Sequence, residues 1–127
     1  MKVLALDYGS ARTGVAVSDP TGTLARPLGI VEQAATDDGL KRLVELVEAE
    51  EPERVVVGLP LTLRGEHGAQ AQETTRFIES LTRELDVPVE SFDERFTTTL
   101  AGPDGDDARA AAHLLTSYLE WSKNRQP

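Results

Sequence analysis

The sequence predicts an α/β fold: a mixed five-stranded sheet, three antiparallel strands and then parallel strands, flanked by helices. Three observations carry this prediction. Residues 2–8 and 13–19 are apolar-rich runs joined only by Gly9-Ser10-Ala11-Arg12, which reads as a hairpin. Val55-Val56-Val57 is a continuous β-branched run, the mark of a strand buried on both faces. From residue 36 onward, helical and strand patterns alternate, which favours parallel pairing through right-handed crossovers.

The elements follow in order. After the turn Asp19-Pro20-Thr21-Gly22, residues 24–33 read as a third strand, and Pro27 assigns it to an edge. Thr36-Asp37-Asp38 offers helix caps, and Leu40, Leu43, Val44 and Val47 then fall on one helical face. That helix stops before Pro52. Val55-Val56-Val57 forms the central strand, and Gly58-Leu59-Pro60 ends it. Residues 61–69 read as a polar loop. A second helix over residues 70–85 places Phe77, Ile78, Leu81 and Leu85 on one face. Residues 87–92 form the fifth strand, residues 102–107 a loop, and a last helix begins near Asp107. Its buried side is expected to hold Ala108, Ala111, Ala112, Leu115, Tyr118 and Leu119, and the tail at residues 125–127 to fray.

With 127 residues the chain fits one domain, residues 1–127, with no internal repeat or linker. No apolar run approaches the length of a membrane span. The absence of Cys removes disulfides and thiolate metal sites. With no leader-like opening after Met1, the expectation is a cytoplasmic protein. The net charge of −9 excludes a broad basic face for nucleic acid. It leaves open a carboxylate site that reaches phosphates through metal ions.

Acids fall at three element ends: Asp7 closes the first strand, Asp93-Glu94 the fifth, and Asp107 opens the last helix after Asp104 and Asp106. In a sheet of this kind, sites form outside the carboxyl ends of the parallel strands, so these acids are expected on one rim. Carboxylates crowded together repel one another until protons or hard cations neutralise them. An all-oxygen donor set suits Mg²⁺ or Mn²⁺, which accept water and phosphate as further ligands. Asp7, Asp93, Glu94 and Asp107 are the candidate metal ligands. Each also has a plain structural reading. Asp7 could bond the Gly9-Ser10 turn, Asp107 could cap its helix, and Asp93 and Glu94 could be solvated or paired with Arg95. Arg12, Arg64 and Arg95 are candidate phosphate contacts, against a default of solvated surface side chains. Ser10 and Thr13 could donate to a phosphate or fix the turn, and Gly58 and Pro60 could let backbone approach a substrate or simply end a strand.

Taken together, LALDYGSARTGVAVSD at 4–19, ARPL at 25–28, VVVGLPL at 55–61, DERFTT at 93–98 and DDARAAAHLLTSYLE at 106–120 resemble the YqgF (RuvX) family. This RNase H-like group is described as Holliday junction resolvases and is also implicated in maturing the precursor of small-subunit ribosomal RNA. The resemblance spans essentially the whole chain. It implies an RNase H-like fold and metal-dependent phosphodiester cleavage of RNA, branched DNA or both. By position, Asp7 matches the acid of the family's first strand, Glu94 the acid of its DER motif with Asp93 beside it, and Asp107 the acid opening its last helix. These three are the implied catalytic residues, and Arg12 and the 61–68 loop match substrate-facing loops.

Two departures stand out. Thr62-Leu63-Arg64-Gly65 occupies the loop where the family usually has an Asn and an acid. Residues 96–106 form a shorter connection than in many members, without Lys or Arg. Two other readings remain at this point. One is a nucleotide-binding relative of actin-like ATPases, which a single lobe would leave open to water. The other is a non-catalytic RNase H-like module serving ribosome assembly or repair. Monomer and homodimer are both compatible with the sequence.

Overall fold

A computed structural model of the chain describes residues 1–96 and 107–125. Asp104, Asp106 and the tail at 126–127 lie outside the described residues. The elements run β1 (Val3–Asp7), β2 (Arg12–Ser18), β3 (Ala25–Glu32), α1 (Asp37–Glu50), β4 (Arg54–Leu59), α2 (Ala69–Glu84), β5 (Val89–Asp93), one 3₁₀ turn (Glu94–Phe96) and α3 (Asp107–Arg125). They form a five-stranded sheet in the order β3-β2-β1-β4-β5. β1 pairs antiparallel with β2, and β2 with β3, whereas β1–β4 and β4–β5 are parallel. β3 is the edge that Pro27 requires.

Strand alternation divides the core between the two faces. On one face Leu4, Leu6, Val15, Val55 and Val57 pack with Leu43 and Val47 of α1 and Phe77 and Leu81 of α2. On the other, Val3, Ala5, Ala16, Val56 and Phe92 pack with Ala111, Leu114, Leu115, Tyr118 and Leu119 of α3. Each fully buried Val or Leu stabilises the fold by roughly 1.5–3 kcal/mol. The β-branched run Val55-Val56-Val57 therefore serves both cores at once, which explains its lack of polar alternation.

Local signals set the boundaries. The Thr36 hydroxyl accepts from the Gly39 N–H at 3.1 Å, and Asp37 and Asp38 occupy the first turn of α1. Glu51 at φ 51° ends the helix, and Pro52 bars its continuation. One boundary and one burial pattern differ from expectation. β5 begins at Val89, one residue beyond Pro88, and runs through Asp93 before the chain tightens into the 3₁₀ turn. In α3, Leu114 is buried beside Gly58, while Ala108 and Ala112 are only half-buried. Among the described residues, no helix is long and apolar enough to cross a membrane.

Candidate active site

Asp7 sits directly across from Gly14 of β2. On its other side the pairing of Leu6 with Val57 brings Gly58 of β4 alongside. Ala5, Ala16 and Val56 face α3, so two residues further along each strand Asp7, Gly14 and Gly58 face α3 as well. The rim thus carries one carboxyl flanked by two residues without side chains.

Both gaps are filled. A Cβ on Gly14 would lie 1.8 Å from the Asp107 carbonyl oxygen, so the first turn of α3 rests on that glycine. A Cβ on Gly58 would lie 2.6 Å from Glu94 Oε1 and 3.0 Å from Leu114 Cδ2, so the Glu94 carboxyl occupies the second gap. Three acids from three separate elements therefore reach the same rim.

The Asp7 and Glu94 side chains stand close enough to shift each other's titration. Two carboxyls this close repel one another unless a proton or a cation lies between them. Burial first, and then the charges of Asp7 and Asp93 and the bond to Asp7, push the Glu94 carboxyl up to about 7. Burial also raises Asp7; the bond to Glu94 opposes the shift, and the charge of Asp107 adds to it. The pair titrates as a unit, so near neutral pH it is protonated only in part. Asp107 itself pairs with Arg12, Nε to Oδ2 at 3.3 Å.

Asp93, one residue from Glu94, points the other way. Phe92 faces α3, so alternation turns Asp93 to the opposite face. There the Arg95 guanidinium forks onto it at 2.9 Å and 2.6 Å, and the Arg95 N–H donates to it at 2.9 Å. That hydrogen bonding holds the Asp93 carboxyl below its usual range. Of the two acids expected here, the structure brings Glu94 beside Asp7, while Asp93 is paired with Arg95. Arg95, exposed, bonds Asp93 and donates to the Leu63 carbonyl at 3.4 Å.

The other candidates take these places. Thr13 is fully buried and its hydroxyl donates to the Gly9 carbonyl, the turn-fixing alternative of its two sequence readings. Gly58 lies beneath Glu94 and makes room for that carboxyl instead of offering backbone. Pro60 is half-buried where the 60–68 loop begins. Ser10, Arg12 and Arg64 are exposed at the rim. Gly14 escaped sequence reading altogether; its signal was a glycine inside an otherwise apolar strand, which marks a close backbone approach.

The donor set consists of carboxylate oxygens, which suits a hard divalent cation. Among the described residues no three acidic or histidine side chains form a ready cation cage. Asp7 and Glu94 meet, and Asp107 stands at the same rim engaged with Arg12.

A family model described as "RuvX: Holliday junction resolvase" matches residues 1–121. A protein of Chloroflexus aurantiacus named "Putative pre-16S rRNA nuclease" is 46% identical over 99 residues, a stretch covering 78% of this chain and 65% of that protein. One of the same name from Chloroflexus aggregans is 44% identical over 135 residues, covering 96% of this chain and 95% of that one. Among solved structures, Thermus thermophilus RuvC in complex with Holliday junction substrate superposes with a TM-score of 0.68 at 15% identity, over 98% of this chain and 96% of that chain. At that identity the likeness shows the fold, which is RNase H-like.

Proposed function

The chain belongs to the RuvX family, and from that premise we propose that it is a divalent-metal-dependent nuclease hydrolysing phosphodiester bonds in precursor small-subunit ribosomal RNA, with branched DNA as the second substrate class. The observation that carries this reading is the Asp7–Glu94 pair: two half-buried carboxyls brought together at a strand end, with Gly14 and Gly58 on either side of Asp7. Burying carboxyls is costly without protons or cations to neutralise them.

Asp7, Glu94 and Asp107 hold Mg²⁺ or Mn²⁺ in this reading. A bound divalent cation supplies Lewis acidity at the scissile phosphate and lowers the pKa of an attacking water. The chain's own residues do the rest. Asp7 and Glu94 would hold the cation without a proton between them, and Asp107, paired with Arg12 at the same rim, would complete the set. Arg12, exposed there, would meet a backbone phosphate. Arg64 and Ser10 contact the strand to either side. A cytoplasmic setting, where ribosomal RNA precursors are processed, belongs to the same proposal.

The test is a cleavage panel of single-stranded RNA, RNA with a stem and a single-stranded flank, duplex DNA and four-way junction DNA, each with Mg²⁺ or Mn²⁺. The expected result is metal-dependent cleavage of the flanked RNA. The ion pair on Asp107 and the net charge of −9 favour one rival, a binding module without cleavage. That rival gains if no member of the panel is cut while RNA still binds.

A further inference from the structure

The 60–68 loop presents Leu63 with 94% of its surface exposed. Single exposed apolar residues are ordinary, and Leu24 at 72% beside the edge strand is one. Leu63 differs in how it is held. The Thr62 N–H donates to the Glu66 carbonyl at 3.0 Å, the Glu66 N–H to the Thr62 hydroxyl at 3.0 Å, and the Gly65 N–H to the Thr62 carbonyl at 2.8 Å. Gly65 adopts φ +81°, which closes the turn. Its α-carbon lies so near Arg95 that a Cβ would be 3.2 Å from Nη1. Arg95 Nη1 also donates to the Leu63 carbonyl at 3.4 Å while its other nitrogens fork onto Asp93. An apolar tip is therefore braced, through one guanidinium, to the turn that carries Glu94.

We infer that Leu63 is a wedge that enters the base stack of RNA bound over the loop that follows β4. This rests on the nuclease reading above and adds to it the feature of the RNA that is selected. A leucine side chain has no hydrogen-bonding group, so it cannot read base edges; it can replace a stacking partner. Apolar wedges of this kind unstack a step at a cost of a few kcal/mol. A rim with few cationic side chains repays little of that cost within continuous duplex. The cost is smallest where a stem gives way to single strand, because the step there is already half open. The substrate feature selected is accordingly a stem border, not a sequence.

The test uses RNA carrying 2-aminopurine at the border step, bound with Ca²⁺ in place of Mg²⁺, together with the cleavage rate of border RNA divided by that of fully single-stranded RNA under Mg²⁺. The wild type is expected to raise the fluorescence on binding. Leu63→Ala is expected to lose most of that rise and to lower the rate ratio about tenfold, the scale of one lost stacking partner. Leu63→Met, which keeps an apolar tip, is expected to restore both. If the wild type cleaves RNA but Leu63→Ala leaves fluorescence and ratio as they were, the wedge is wrong and the nuclease reading stands. If the wild type neither binds nor cleaves any RNA, the functional reading fails and the wedge falls with it.

Discussion

Asp7 has a neighbour on each side because glycine leaves room for both. Gly58 is the more exacting of the two positions, since the Glu94 carboxyl itself fills the space a side chain would take. Gly58→Ala is expected to push Glu94 away from Asp7 and slow cleavage at least about tenfold, because an ångström of misplacement costs a site that much or more. Cleavage at the wild-type rate would show that Glu94 need not stand there. The same pair makes a claim about stability. Glu94 is pushed up from its ordinary 4.5 to about 7 in the folded chain. A carboxyl raised on folding stabilises the fold fully below its unfolded value, and that contribution is lost as pH rises through its folded value. The thermal midpoint of the metal-free wild type should therefore fall between about pH 5 and about pH 8. Glu94→Gln should flatten that fall and melt above the wild type at the higher pH, while losing cleavage. A Glu94→Gln chain that melts lower at about pH 8 would contradict the shared-proton account.

Among the elements, α3 decides whether the third acid arrives. Its first turn lies on Gly14, with the Asp107 carbonyl where a Cβ would be. Gly14→Ala is expected to lift the helix, costing at least about 2 kcal/mol of stability and most of the activity. Gly29→Ala is the matched control: it lies in β3 with open space where its Cβ would project, so it should be neutral or slightly stabilising. Equal losses in the two variants would remove the special role of the α3 seat. The elements were largely legible in the sequence because each had its own signal: the hairpin spacing before Arg12, Thr36 as a cap, the Val55-Val56-Val57 run, and Pro27 on an edge. The site was less legible. Strand alternation separates Asp93 from Asp7, but Glu94 leaves the strand in a 3₁₀ turn, and no residue pattern announced that turn. Thr13 looked like a lip residue because burial of a hydroxyl is invisible to spacing. Gly14 acts through a helix more than ninety positions away in the chain, a contact that local patterning cannot reveal.

At the scale of the whole molecule, an acidic protein must meet an acidic polymer. The net charge of −9 opposes the encounter, and the exposed cations on the rim, Arg12 and Arg64, are few. Binding of single-stranded RNA should therefore depend only weakly on salt, with a slope near about −1.4 in log affinity against log salt for two phosphate contacts. A slope several times steeper would reveal a basic surface elsewhere on the chain. Attraction then has to come chiefly from the cation held between carboxyls, which makes cation binding the centre of the account. The most direct measurement is a calorimetric titration of Mn²⁺ into the wild type, Asp7→Asn and Glu94→Gln, near neutral pH in two buffers of different ionisation enthalpy. Saturable binding by the wild type with release of a fraction of a proton per ion, lost in both variants, is the predicted result. Binding of undiminished affinity in both variants, with no proton released by the wild type, would contradict it.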